Sequence, residues 1–347
     1  MATVAVDSAG PVAGVLGRRP PWLGWFLRRA LSGALAVAVI SMIVFAATVA
    51  LPSDPARTIL GPDARPEAIA TLQGKLGLGD PIWEQYLRWL GSAVRLDFGA
   101  SLDSAVPITT LVGGWLANTL SLLAVVLVFS VPLALGLGVY AAVRRDSWID
   151  RAVVNTAVFF KAIPGFVLAV VLVLVFATSV FDILPAASLL DPNLPALAQP
   201  QYLVLPALAL IAGAVPYLLR QVRASVVEVL ESEYVLAARL RGTDFRTVLR
   251  RHVLPNALIP AIQAFALTLS VLVGGTVVIE VAFSYPGIGS GLDGAVGMRD
   301  LPVIQACVLV VATAVVLINL AADLATVLLT PRLRTASGTN GITGRTA

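Results

Sequence analysis

The stretch Ala30-Leu-Ser-Gly-Ala-Leu-Ala-Val-Ala-Val-Ile-Ser-Met-Ile-Val-Phe-Ala-Ala-Thr-Val-Ala-Leu51 carries no charged side chain. Wound as an α-helix at about 1.5 Å per residue, it spans roughly the 30 Å hydrocarbon core of a bilayer. It is too long for the apolar core of a cleaved signal peptide, and no small-x-small site leads from it into a soluble domain, so it reads as a retained span. Five more apolar blocks follow, at about Leu116–Val143, Ala152–Phe181, Gln201–Leu219, Ala257–Phe283 and Pro302–Leu329. The third carries Lys161 and Pro164, the fourth Pro206 and Pro216, the fifth Glu280 and the sixth Asp323. The expected fold is an all-α integral membrane bundle of six transmembrane helices.

Composition agrees. Of 347 residues, 58% are hydrophobic and 13% charged, with mean hydropathy +0.90. Soluble domains average about 25% charge, so this surface is too poor in charge to face water throughout. A soluble enzyme, a nucleic-acid binder and a disordered chain are excluded. Cys307 and His252 are the sole members of their types, too few for a soft-metal cage or a histidine relay. Lys75 is followed by Leu76 and Lys161 by Ala162. Neither completes a phosphate-binding G-x-x-x-x-G-K-[ST] loop, so no metal site and no bound cofactor are expected on this chain.

The basic residues set the orientation, because the inner side of a membrane protein is enriched in arginine and lysine. With the N-terminus inside, the inner segments hold 17 of the 24 and the outer loops 6. Both termini are therefore expected in the cytoplasm. The net charge of +4 reflects topology and does not point to nucleic acid.

Two connections are longer than helix bundles use. The outer one, 52–114, includes Asp80-Pro-Ile-Trp-Glu-Gln-Tyr-Leu-Arg-Trp-Leu90. Asp80 is expected to cap a helix with Pro81 at its first position. Ile82, Tyr86 and Trp89 share a stripe beside Trp83, Leu87 and Leu90. This amphipathic helix suits the outer interface, the top of the bundle, or an external partner touching Trp83, Tyr86 and Trp89. The inner connection, 220–256, holds seven arginines. A helix is expected before Gly242, a break at Gly242, and a second short helix capped by Thr243 or Asp244 and carrying Phe245, Val248 and Leu249. Nothing inside a lipid-facing bundle needs two short arginine-rich helices at a bend.

In this loop Leu236-Ala-Ala238 is followed after three residues by Gly242, and after nine more by His252-Val-Leu-Pro255. The spacing resembles the E-A-A, three residues, Gly, nine residues, I-x-L-P signature of ABC importer permeases of the dipeptide/oligopeptide and nickel family, with Leu236 in place of Glu and His252 in place of Ile. Leu76-Gly-Leu-Gly-Asp-Pro81, Leu96-Asp-Phe-Gly-Ala-Ser101, Ser147-Trp-Ile-Asp-Arg151, Ile163-Pro-Gly-Phe166 and Leu203-Val-Leu-Pro206 are similar to further family patterns. So are Gly274 to Gly289, Arg299-Asp300-x-Pro302, Asn319-Leu-x-x-Asp323 and Pro331-Arg332, although Thr330 stands where an acid is usual.

The resemblance covers about Leu27 to Arg334. It implies a type I ABC importer transmembrane domain of the bacterial inner membrane. The chain then divides into a cytoplasmic tail 1–28, a first span 29–51, the outer loop 52–114, a permease core 115–335 and a disordered tail 336–347. The resemblance also implies a non-catalytic subunit whose 220–256 loop docks on an ATPase through Leu236, Ala237, Ala238, Gly242, Leu254 and Pro255, with Arg239 and Arg241 as polar contacts. Implied partners are a homologous second permease, two ABC ATPase subunits or domains that bind ATP and Mg, an extracytoplasmic substrate-binding protein, and membrane lipid.

Charges inside spans are costly and mark pathways or buried pairs. Lys161, Glu280 and Asp323 are the candidates, with snorkelling or helix-end capping as the rival reading. Gly113, Gly114, Gly136, Gly138, Gly274 and Gly275 are expected to permit close helix packing. A proton-driven secondary transporter using Glu280 and Asp323 is the competing function, but no internal repeat of the kind such proteins carry is evident. An intramembrane enzyme lacks the histidines it would need.

Overall fold

The computed structural model describes residues 21–50, 60, 64–76 and 79–329. Residues 51–59 and 61–63 of the outer connection, Gly77 and Leu78 of the outer-loop pattern, the closing motif at 330–332, and the tails 1–20 and 336–347 lie outside the described residues. The helices are α1 Pro21–Ala50, α2 Pro66–Leu76, α3 Ile82–Val94, α4 Ile108–Val143, α5 Trp148–Ala162, α6 Gly165–Val173, α7 Val204–Leu230, α8 Glu233–Leu240, α9 Phe245–Val248, α10 Leu254–Ala282, α11 Ile288–Met298 and α12 Leu301–Leu329. Among the described residues there is no β-strand, only a single bridge between Ala100 and Pro107.

Among the described residues, five stretches are long and apolar enough to cross a membrane: Gly24–Ala50, Ile108–Val143, Val204–Leu230, Phe245–Ala282 and Leu301–Val327. A sixth is the pair α5 and α6 with the π-turn Leu174–Thr178, bent by 96°. The third expected span is thus present as a broken one. Pro164 lacks an amide hydrogen and disfavours helical geometry in the residue before it. Ile163 accordingly adopts an extended conformation, and α6 restarts at Gly165.

Two boundaries also move. The 52–114 connection ends early, since α4 begins at Ile108. The expected inner loop from Arg220 is helix as far as Leu230, because Val222, Ser225 and Val226 continue the buried stripe of α7. The capping expectation at the outer helix fails by one residue. Pro81 occupies the cap position, while Asp80 pairs with Arg88 and its carbonyl accepts from Gln85.

The centre of the bundle is α4, α7 and α10, joined through Leu122, Val126, Leu205, Leu210, Leu272 and Ile279. A Cβ at Gly138 would lie 2.9 Å from the Leu219 carbonyl oxygen, so that glycine lets α4 and α7 meet. The other five glycines expected to do so have no side-chain-sized neighbour within 4 Å in this chain. Instead Gly33 packs α1 on α12, where a Cβ would come 2.6 Å from Val316. Helix α1 otherwise stands at the periphery.

One ion pair fixes α5 to α7. Ser147 accepts from the Asp150 amide as an N-cap. The Asp150 carboxylate accepts from the Asp146 amide at 3.0 Å and from Arg223 Nε and Nη2, each at 2.6 Å. Asp150 is 3% exposed. Removing one partner of such a pair leaves the other uncompensated, so Asp150→Ala is expected to cost about 2–4 kcal/mol. A drop in the midpoint of heat-induced unfolding in detergent measures it. Arg223→Ala should cost a similar amount.

Candidate functional site

At the arginine-rich end, α8 and α9 form an elbow beneath the bundle. Val235 and Ala238, three residues apart on α8, and Val248 of α9 pack with Val222, Val226, Val253 and Ala257. That face is apolar and small, which seats the elbow on α7 and α10. Gly242 makes the bend. Its φ is +80°, a left-handed conformation that side chains disfavour. Its amide donates to the Arg239 carbonyl at 2.9 Å, and the Thr243 amide donates to the Ala238 carbonyl at 3.3 Å. This is the Schellman closure of a helix C-terminus. Asp244, of the two capping candidates, starts α9 by accepting from the Arg246 amide at 3.0 Å.

The outer face of the elbow is free in this chain. Tyr234, Leu236 and Leu240 are exposed, Leu240 by 80%. Ala237, Arg241 and Gly242 are exposed as well, and Arg239 lies over the Phe245 ring at 5.0 Å. Leu254 is half-buried and Pro255 exposed at the start of α10. The eight residues singled out therefore divide. Ala238 anchors, Gly242 bends, Leu236, Ala237, Arg239 and Arg241 face outward, and Leu254 and Pro255 belong to the first turn of α10. Tyr234, Leu236 and Leu240 thus form an exposed apolar patch beside Arg239 and Arg241, the kind of patch that marks an interaction surface.

The three charges in the spans have different surroundings. Asp323 pairs with Arg29 at 2.6 Å, tying α12 to α1. Glu280 is fully buried. Its carboxylate accepts from Thr119 Oγ1 at 2.7 Å and the Gly289 amide at 2.6 Å, and Thr119 Oγ1 in turn accepts from the Ile288 amide at 2.9 Å. Glu280 thus caps the N-terminus of α11, where free amides and the helix dipole favour an anion. Gly287 and Gly289 make the room, since Cβ atoms there would lie 2.3 Å from Glu280 Cδ and 2.4 Å from Val277 Cα. Beside it Tyr285 donates to the Asn118 carbonyl at 2.7 Å. Burial first, and the Glu280 charge second, push the Tyr285 phenol up from its ordinary range, so it remains a donor.

Lys161 differs from both. Among the described residues it has no ion pair or hydrogen-bonding side chain. It lines a cavity of about 390 Å³ with Gly165, Gly213, Tyr217, Thr268 and Gly275, between the α5–α6 break, α7 and α10.

At the opposite end, α3 packs on α1. Tyr86 OH and Ser41 Oγ are 2.8 Å apart, and the Phe45 ring lies 5.5 Å from Tyr86 and 5.6 Å from Trp89. Tyr86 and Trp89 therefore face the bundle, while Trp83 is 63% exposed. Ile82 leaves the expected stripe, being exposed, and Ala93 takes its place on the buried face.

Sequence reasoning missed the Asp150–Arg223 fork and the role of Thr119. The Tyr285-Pro-Gly-Ile-Gly289 run was the one available signal for the Glu280 cap.

Residues 134–335 match the profile of a family described as "Binding-protein-dependent transport system inner membrane component", and residues 22–131 match the profile of its N-terminal region. The chain is similar to the "Probable peptide ABC transporter permease protein y4tP" of Sinorhizobium fredii, 32% identical over 310 residues that span 89% of this chain and 99% of that protein. It is also similar to the "Glutathione transport system permease protein GsiC" of Escherichia coli strain K12, 34% identical over 312 residues, 90% of this chain and 99% of that protein.

Proposed function

We propose, from the premise that this chain belongs to the family of binding-protein-dependent transport system inner membrane components, that it is the translocation subunit of an ATP-driven importer of short peptides. The chain is a multi-pass inner membrane protein, an ABC transporter permease. The observation that supports coupling to an ATPase is the α8–α9 elbow, anchored by Val235 and Ala238 and presenting its other face outward. In this reading the arginine-rich end is cytoplasmic and docks on an ATPase through Leu236, Ala237, Arg239 and Arg241. ATP and Mg reside on two ATPase subunits or domains. A homologous second permease completes the path, and an extracytoplasmic binding protein delivers cargo.

Closure of the ATPases moves the elbow as a rigid body and the bundle alternates between its two openings. The relatives are named for peptide and for glutathione transport, which supports peptide-like cargo for this chain. The permease with its partner subunits, reconstituted in vesicles with the binding protein, should take up short peptides only with ATP, and the isolated chain should hydrolyse none. Uptake that survives ATP depletion and collapses with an uncoupler would replace this reading with proton coupling.

A further inference from the structure

We propose that the Lys161 cavity is a transit site for the carboxylate group of the cargo. The inference rests on the importer reading and names the chemistry its path recognises.

The cavity sits at mid-membrane depth. Gly213 and Ala214 lie near the middle of α7, and Leu267 to Val271 near the middle of α10. Lys161 occupies the last turn of α5, about 20 Å along the helix from Trp148. An ammonium at that depth is unfavourable in lipid. It persists where it faces water, a partner charge or a ligand. The other two charges of the spans do not serve it, because Glu280 is committed to Thr119 and Gly289, and Asp323 to Arg29.

The surroundings fit a transient anionic guest. The 96° break after Ala162 leaves α6 starting at Gly165 in the same wall, with its first amides free of helix partners. Apart from Tyr217 and Thr268, whose Oγ1 donates to the Ala264 carbonyl, the other walls are apolar or glycine. A short peptide or a glutathione-like molecule always brings at least one carboxylate. One lysine among apolar walls holds that group without reading side chains, and a single charged contact is weak enough to release it.

The test uses the complete transporter in vesicles with trialanine and its C-terminal amide as probes. Lys161→Met is expected to lower trialanine uptake by about tenfold or more, the worth of a charge-assisted hydrogen bond, while changing uptake of the amide by less than about twofold. Lys161→Arg should retain most trialanine uptake. Binding-protein-stimulated ATP hydrolysis checks assembly, and Lys161→Gln is read in the same way where the Met variant does not assemble. Three results would overturn the site. They are trialanine uptake unchanged in Lys161→Met, equal loss of both peptides, and an Arg variant as impaired as the Met variant. Wild-type vesicles that take up neither peptide with ATP would overturn the importer reading and the site with it.

Discussion

Gly242→Val is expected to reduce ATP-driven uptake by about tenfold or more, while the chain still inserts and assembles. The left-handed conformation at φ +80° costs an ordinary L-residue about 1–2 kcal/mol and is worse for a β-branched one. The backbone escapes by changing the bend, which re-aims α9 and the exposed face of α8. No clash contributes, because a Cβ at Gly242 meets nothing within 4 Å. Asn tolerates the left-handed region, so Gly242→Asn should keep most of the uptake. Transport in vesicles, set against membrane fractionation for insertion, separates the two. Undiminished uptake in the Val variant would remove the elbow from the coupling route.

The second large effect is at Glu280. Truncation to Ala leaves the Gly289 amide and the Thr119 hydroxyl buried without the carboxylate they share. At about 1–3 kcal/mol for each unsatisfied group, Glu280→Ala should cost about 2–5 kcal/mol of stability, read as a lower unfolding midpoint in detergent. Glu280→Gln keeps an acceptor for Gly289 and should be close to wild type in both stability and ATP-driven uptake. This pair of variants also bears on proton coupling. A carboxylate that carries protons cannot be replaced by an amide, whereas one that caps a helix can. Uptake abolished in the Gln variant with its stability intact would favour the proton-driven alternative.

Legibility of the fold followed the range of the physics. Helices α1 and α12 were plain in the sequence because uninterrupted apolar runs need no partner to be recognised. The arginine-bearing end of α7 was not. Arg220 and Arg223 look like loop charges until Asp150, 73 residues away, is known to pair with Arg223. Pro164 announced a disturbance, but whether a proline kinks a span or breaks it depends on what packs beside it. At the elbow, the spacing of Ala238, Gly242 and Pro255 carried both the resemblance and the local geometry, since cap and bend are set by neighbours in sequence. At Glu280 the sequence offered only a costly charge near a helix end. Its partners come from α4 and α11, and only the assembled bundle brings them together. Lys161 was equally visible and equally mute, and its cavity is a product of four helices.

The π-turn Leu249–Val253 joins α9 to α10 without a loop, so Phe245–Ala282 is one helix of 38 residues. At 1.5 Å per residue it is a rod about 57 Å long. One end lies in the elbow, and the other carries Glu280 with α11 seated on it. On the importer reading proposed above, such a helix serves as a lever arm between the elbow and the Glu280 cap. A tilt of about 5° about one end sweeps the other through about 5 Å, close to the pitch of a helical turn. On the importer reading, Pro260 inside this helix is where the arm would bend, and a softening there would uncouple the elbow from the Glu280 cap.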